Sequence, residues 1–355
     1  MPLPNDSLIH LRTLLVGAAG GAVAVLLGIP LPWMIGAMIA SSALTWFVAV
    51  PNPPAVRNLS LVVLGLGLGQ GFTAPVLSAV VGALPAMVAA GVVTILAALP
   101  VAGLFARLSG TDARSGYFCT VPGGIVLMTV LAQQAGARVP VVTLSQTIRM
   151  CLVVLLFPPV LALLAPGVAD SAFSAPRLPS DLGWLALLSA AGLVLGWAMS
   201  RVGFANAWML APCALVIALS AAERLPTGIP IWLVDAAQIG MGTTLGLRLT
   251  RRFLLSSRKL VLVSAVSTLA LSGLLAALSL PLAWLFGLPG PAVLLGMAPG
   301  GMPEMALTAK ALDLAVPLVL GFHLTRVLLC SALIGPFWRL AVAVGLVPPA
   351  SEKQA

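Results

Sequence analysis

Charge is scarce in this chain. Lys and Arg number 18 and Asp and Glu 9 in 355 residues, 8% of the sequence, where a soluble domain carries about 25%. So few polar groups cannot cover a water-facing surface. With 60% hydrophobic residues and a mean hydropathy of +1.13, the chain reads as an integral membrane protein. Long polar stretches are missing too. The longest are 166–180 and the basic run 248–259, which leaves no sizeable soluble domain. Histidine is limited to His10 and His323. Copper and iron centres are built from clusters of His or carboxylate ligands, so no metal, no cofactor and no enzymatic activity such as a monooxygenase are expected. Cys119, Cys151, Cys213 and Cys330 lie apart in apolar runs with no CxxC spacing and read as small buried hydrophobes. A cleavable leader is not expected, because 11–29 is too long for its apolar core and another apolar segment follows at once.

What is present is a net charge of +9. Its cations sit at the ends of apolar runs, which points to membrane topology and anionic-lipid contact rather than nucleic acid. There is also an internal duplication. At an offset of 177 residues Pro122, Gly123 and Gly124 fall on Pro299, Gly300 and Gly301, Met128 on Met305, Pro140 on Pro317 and Arg149 on Arg326. Gly65 and Gly69 fall likewise on Gly242 and Gly246, and Gly110 on Gly287. Near the start the offset is 175, pairing Gly21, Gly28, Trp33 and Met34 with Gly196, Gly203, Trp208 and Met209. The expected organisation is a first membrane repeat over 1–165, a linker over 166–182 and a second repeat over 183–355.

A spanning helix needs about 20 apolar residues. The first half offers 11–29, 33–50, 59–79, 83–106 and 141–164, and the second offers 183–200, 207–222, 230–247, 260–285 and 318–344. The Pro-Gly-Gly segments, near 117–136 and 292–312, form a sixth element of each half. No charge lies between Arg12 and Arg57 or between Arg57 and Arg107. Each gap holds two spans and a turn, so these three share a side. If the Pro-Gly-Gly segments enter and leave by one face, only Arg177, Arg224 and Lys310 among the cations outside the spans fall on the opposite side. The crowded side is then cytoplasmic. Full crossing divides the cations evenly and disobeys that rule. Re-entry leaves five spans per half, an odd number, so the second half is upside down. The expectation is an all-α membrane protein of two inverted repeats, each with about five transmembrane helices and one re-entrant or broken helix, a secondary-transporter architecture. It places the chain in the bacterial inner membrane with both termini cytoplasmic.

Glycine and proline at membrane depth break the helix and free backbone groups, which only protein or a water-filled cavity can satisfy. The half-helix that follows Gly123–Gly124 or Gly300–Gly301 favours an anion at its N-terminus. Arg149 and Arg326 lie inside spans, where a guanidinium faces a cavity or a partner. Gln146 and His323 precede them by three residues on the same face. The arginines read either as converging on an anionic substrate or as structural ion pairs with Glu304 as one partner. Glu304 opens the second half-helix, and its counterpart is Leu127. It reads as a candidate coupling carboxyl or as a favourable dipole partner.

The segments "VPGGIVLMTVLAQQAGARVPVVTLSQTIR" (121–149) and "APGGMPEMALTAKALDLAVPLVLGFHLTR" (298–326) resemble the bacterial AbrB membrane-protein family, defined by a duplicated PGG, a following Met and a His/Gln-x-x-Arg. The name is shared with an unrelated soluble DNA-binding regulator. Family members carry labels such as ammonia monooxygenase or regulator of gene expression, and the family is similar to the cation/proton antiporter and anion transporter group. The resemblance implies roles for Gln146, Arg149, Glu304, His323 and Arg326. A Gly-Ala-Asp expected after each half-helix is replaced by Gly136-Ala137-Arg138 and Asp313-Leu314-Ala315, so no role transfers there. The functional expectation is a proton- or sodium-coupled secondary transporter of a small anion such as a carboxylate, with the lipid bilayer as its surroundings, no nucleic-acid partner and a homodimer left open. The alternatives are a membrane protein affecting gene expression and a channel.

Overall fold

The computed structural model describes residues 4–48, 50–164, 178–204 and 206–343. Most of the expected linker, with Arg177, and the end of the chain, with Lys353, lie outside the described residues. Every regular element among the described residues is a helix, as expected where hydrocarbon offers the backbone no hydrogen-bonding alternative. The first half runs α1 (Pro4–Leu26), α2 (Pro32–Leu44), α3 (Pro54–Gly69), α4 (Ala74–Gly82), α5 (Leu84–Ser109), α6 (Ala113–Thr120), α7 (Ile125–Gln134) and α8 (Val139–Leu164). The second runs α9 (Leu182–Arg201), α10 (Ala207–Ala221), α11 (Ile231–Gly246), α12 (Arg251–Ser256), α13 (Arg258–Phe286), α14 (Gly290–Met297), α15 (Met302–Ala311) and α16 (Val316–Ala343).

The duplication extends to the backbone. α3, α4, α6, α7 and α8 each start 177 residues before α11, α12, α14, α15 and α16. Left-handed turn residues recur in register: Gly28 with Gly203, Leu31 with Asn206, Gly110 with Gly287, and Gly136 with Asp313. Gly110 and Gly287 end α5 and α13 with φ of 72° and 62°, the conformation that closes a helix and that glycine adopts without strain.

Among the described residues five helices are long and apolar enough to cross a membrane, namely α5, α8, α9, α13 and the segment Ile9–Leu26 of α1. The number rises to six if α3 and α4 count as one span, bent by 96°. This is fewer than the ten spans expected, and the reason is local. Pro30 and Pro32 set the start of α2 and the turn that begins at Thr45 ends it, leaving 13 residues. At about 1.5 Å per residue that is about 20 Å, short of the ~30 Å hydrocarbon layer. The expected span 59–79 divides at Gly69–Thr73, where Gly71 and Pro75 stop the helix.

The chain folds as two compact units, each drawn from both sequence halves. Unit 1 comprises Met1–Gly82, Val154–Ser256 and Met302–Val319; unit 2 comprises Ala83–Val153, Ser257–Gly301 and Leu320–Ala355. In unit 1, α2 packs on α11 while α10 packs on α3. The two crossings are copies. A Cβ on Gly242 or Gly246 of α11 would strike the carbonyl of Met34 or Met38 on α2; one on Gly65 or Gly69 of α3 would strike that of Met209 or Cys213 on α10. These glycines let the backbones touch, the usual basis of close helix association in membranes. In unit 2, α5 packs on α6 and α13, and α13 on α14. Asp112 caps α6 by accepting from Ser115 N at 3.0 Å and from Ser115 Oγ at 2.7 Å.

Candidate functional site

Both Pro-Gly-Gly segments interrupt a helix. α6 stops at Thr120 and α7 starts at Ile125; α14 stops at Met297 and α15 starts at Met302. Pro122 and Pro299 have no N–H to continue the ladder. Gly124 has φ 88°, a conformation that excludes other side chains at low cost. Of the four glycines Gly123, Gly124, Gly300 and Gly301, it is the one with positive φ among the described residues. Pro303 stands in the first turn of α15, where the missing N–H was unpaired in any case.

Breaking a helix leaves its last carbonyls without partners. In unit 2 the buried side chains of α8 and α16 supply them. Arg149 donates from Nη1 to Val121 O at 3.1 Å and to Thr120 O at 3.3 Å, and from Nη2 to Gln146 Oε1 at 2.6 Å. Gln146 Nε2 donates to Phe118 O at 2.7 Å and Val121 O at 3.1 Å. At the other break Arg326 Nη1 donates to Ala298 O at 2.6 Å and Nη2 to Gly300 O at 2.9 Å. His323 Nε2 lies 3.0 Å from Leu295 O. A carbonyl only accepts, so Nε2 carries the proton. The spacing repeats: Arg149 to Val121, Arg326 to Ala298, Gln146 to Phe118 and His323 to Leu295 each join residues 28 apart.

Each guanidinium therefore caps the C-terminal, electronegative end of a half-helix, a favourable position for a cation. Its burial, with Arg149 3% and Arg326 4% exposed, is offset by these bonds. Nε of both arginines and Nδ1 of His323 are buried with no partner among the described residues. So the forks hold the breaks, and the Nε–H of each arginine is left over.

Glu304 belongs to unit 1. It sits in the first turn of α15, fully buried, and neither carboxyl oxygen has a partner among the described residues. Its backbone oxygen accepts from Thr308 Oγ1 at 2.8 Å. The charges that act on it within unit 1 are Arg57 and Arg248. In the sequence Arg57 reads as a topology marker only. The usable signal was its place in the first turn of α3, three residues after Pro54.

The chain matches the family model described as "Transition state regulatory protein AbrB" over residues 33–342. It is 30% identical over 353 residues to "Uncharacterized protein YhjN" of Bacillus subtilis (strain 168), covering 92% of this chain and 91% of that one. It is 24% identical over 313 residues to "Putative regulator AbrB" of Escherichia coli (strain K12), covering 87% and 89%.

Proposed function

We propose that this chain, which belongs to the AbrB family, is a secondary-active transporter of a small anionic solute, with alternating access around the two helix breaks. The carrying observation is the duplicated break held by a buried arginine whose Nε–H has no partner among the described residues. A buried donor left over at a helix break is suited to an anion. Glu304, buried and without a hydrogen-bond partner among the described residues, is the coupling carboxyl in this reading, taking up a proton or sodium. The repeats are inverted, the membrane is the bacterial inner membrane with both termini cytoplasmic, and neither enzymatic chemistry, cofactor nor nucleic acid takes part. A homodimer is compatible with this function.

Uptake into proteoliposomes from a panel of organic acids, with and without a pH or sodium gradient, tests the reading. One acid is expected to accumulate under a gradient. Glu304→Gln should abolish that accumulation while leaving exchange of labelled solute across the membrane. If no solute moves, and Arg149→Ala and Arg326→Ala leave all anion binding unchanged, the transporter reading is wrong.

The printed name of the Escherichia coli relative favours a second reading, an effect on gene expression. A direct effect needs a cytoplasmic signalling surface, for which the basic run 248–259 is the largest candidate. An indirect one follows from the solute moved. Glu304→Gln, unable to accumulate solute, separates them: a direct regulator keeps its effect on transcript levels, and a transporter whose accumulated solute is the signal loses it.

A further inference from the structure

Within unit 1 a cavity of about 580 Å³ lies among the C-terminal end of α3, the N-terminal end of α11 and the C-terminal end of α15. Small-molecule sites have volumes of about 300–1,000 Å³ and a few placed polar groups on apolar walls. Its polar side chains are Gln70, Ser180, Asp235, Gln238, Lys310 and Asp313, and three of them decide what would fit. Asp235 and Gln238 stand one turn apart on α11, with Gln238 Nε2 donating to Asp235 Oδ1 at 3.3 Å. An ionised carboxylate only accepts, so the amide nitrogen must face it and the amide oxygen is left as an acceptor. Gln238 is 7% exposed, and its Oε1 has no partner among the described residues. A buried acceptor beside a carboxylate is satisfied by a cationic donor with several N–H groups. Across the cavity Lys310 supplies the opposite charge, its Nζ 3.4 Å from Gly67 O at the end of α3. Asp235 and Lys310 sense each other electrostatically.

We propose that this cavity binds a small zwitterion of the α-amino-acid class, with its ammonium on Asp235 and Gln238 and its carboxylate on Lys310. The apolar lining from Leu68, Val234 and Leu307 favours a hydrocarbon side chain. The site does not depend on the transport reading, because binding is measurable without flux.

Calorimetry on the full chain in lipid nanodiscs tests it with leucine, its deaminated acid 4-methylpentanoate and its decarboxylated amine. Leucine should bind at least about tenfold more tightly than either analogue. Asp235→Asn and Lys310→Gln should each weaken leucine at least about tenfold, while 4-methylpentanoate responds to Lys310→Gln alone. A Cβ on Gly71 would meet only ordinary contacts, with Pro317 Cγ at 3.6 Å the nearest. Gly71→Leu therefore fills the cavity without touching its charges, and it decides the matter should a charge variant fail to fold. Failure of leucine to bind, equal affinity for the three probes, or unchanged leucine affinity in Gly71→Leu would overturn the site. Binding of leucine with no uptake of any solute sinks the transporter reading and leaves this site standing; anion uptake without leucine binding does the reverse.

Discussion

Arg326 spends two of its donors on the carbonyls of Ala298 and Gly300, and Arg149 does the same for Thr120 and Val121. Removing the Arg326 guanidinium strands both of its carbonyls, while removing that of Arg149 strands Thr120 O and Gln146 Oε1, because Val121 O still accepts from Gln146 and from Gly123 N. Arg326→Ala should therefore lower stability by on the order of 3 kcal/mol, read as a fall in detergent melting temperature. Arg326→Lys keeps the charge but loses the fork, and should cost about half as much. The duplication supplies a sharper comparison. Gln146 and His323 occupy matched positions and both donate to a carbonyl 28 residues back. Gln146→His should be tolerated better than Gln146→Leu, and His323→Gln better than His323→Leu, by roughly 1–2 kcal/mol in the same assay. A buried arginine three residues after Gln or His was legible in the sequence. Its acceptors were not, since every residue carries a carbonyl and the breaks chose which ones needed a partner.

At the scale of the helix, matched backbone turns need not have matched residues. Gly136 and Asp313 share the left-handed conformation, with φ 69° and 51°, but only glycine holds it freely. Asp313→Gly should stabilise by roughly 0.5 kcal/mol, and Gly136→Ala should destabilise by roughly 1 kcal/mol, measured as shifts in melting temperature. Glycines at the crossings carry a larger penalty. A side chain on Gly242 meets the Met34 carbonyl, so Gly242→Val should cost roughly 3 kcal/mol and reduce the yield of folded protein. Gly65, Gly69, Gly242 and Gly246 stand out in the sequence as repeat partners, and at the crossings they let helix backbones touch. Which helix each one meets was not readable, because a glycine stripe states how near a partner comes and not which partner it is. The same limit explains the span count. Apolar content marked 33–50 and 207–222 as membrane segments, while proline and the following turns set α2 and α10 at 13 and 15 residues.

At the scale of the molecule, each of the two compact units draws segments from both sequence halves. The proposed inversion of the repeats makes a direct prediction. Gly110 and Gly287 are exposed, end matched helices and would meet nothing with an added Cβ. Gly110→Cys and Gly287→Cys, each at a strain of about 1 kcal/mol, should react with a membrane-impermeant maleimide from opposite sides of the bilayer. Labelling from one side only would make the repeats parallel.

By itself the sequence determined that this is a helical membrane protein, that it is duplicated, where both of its helices break and which buried side chains stand near each break. Those properties follow from composition, from residue spacing and from the backbone limits of Pro and Gly, all written in single residues. Tertiary structure alone decided that α2 pairs with α11 and α3 with α10, that the arginines cap carbonyls, and that Asp235, Gln238 and Lys310 line one cavity. The reason is distance along the chain: these partners are tens to hundreds of residues apart, and no local pattern encodes which far segment will supply a missing hydrogen bond.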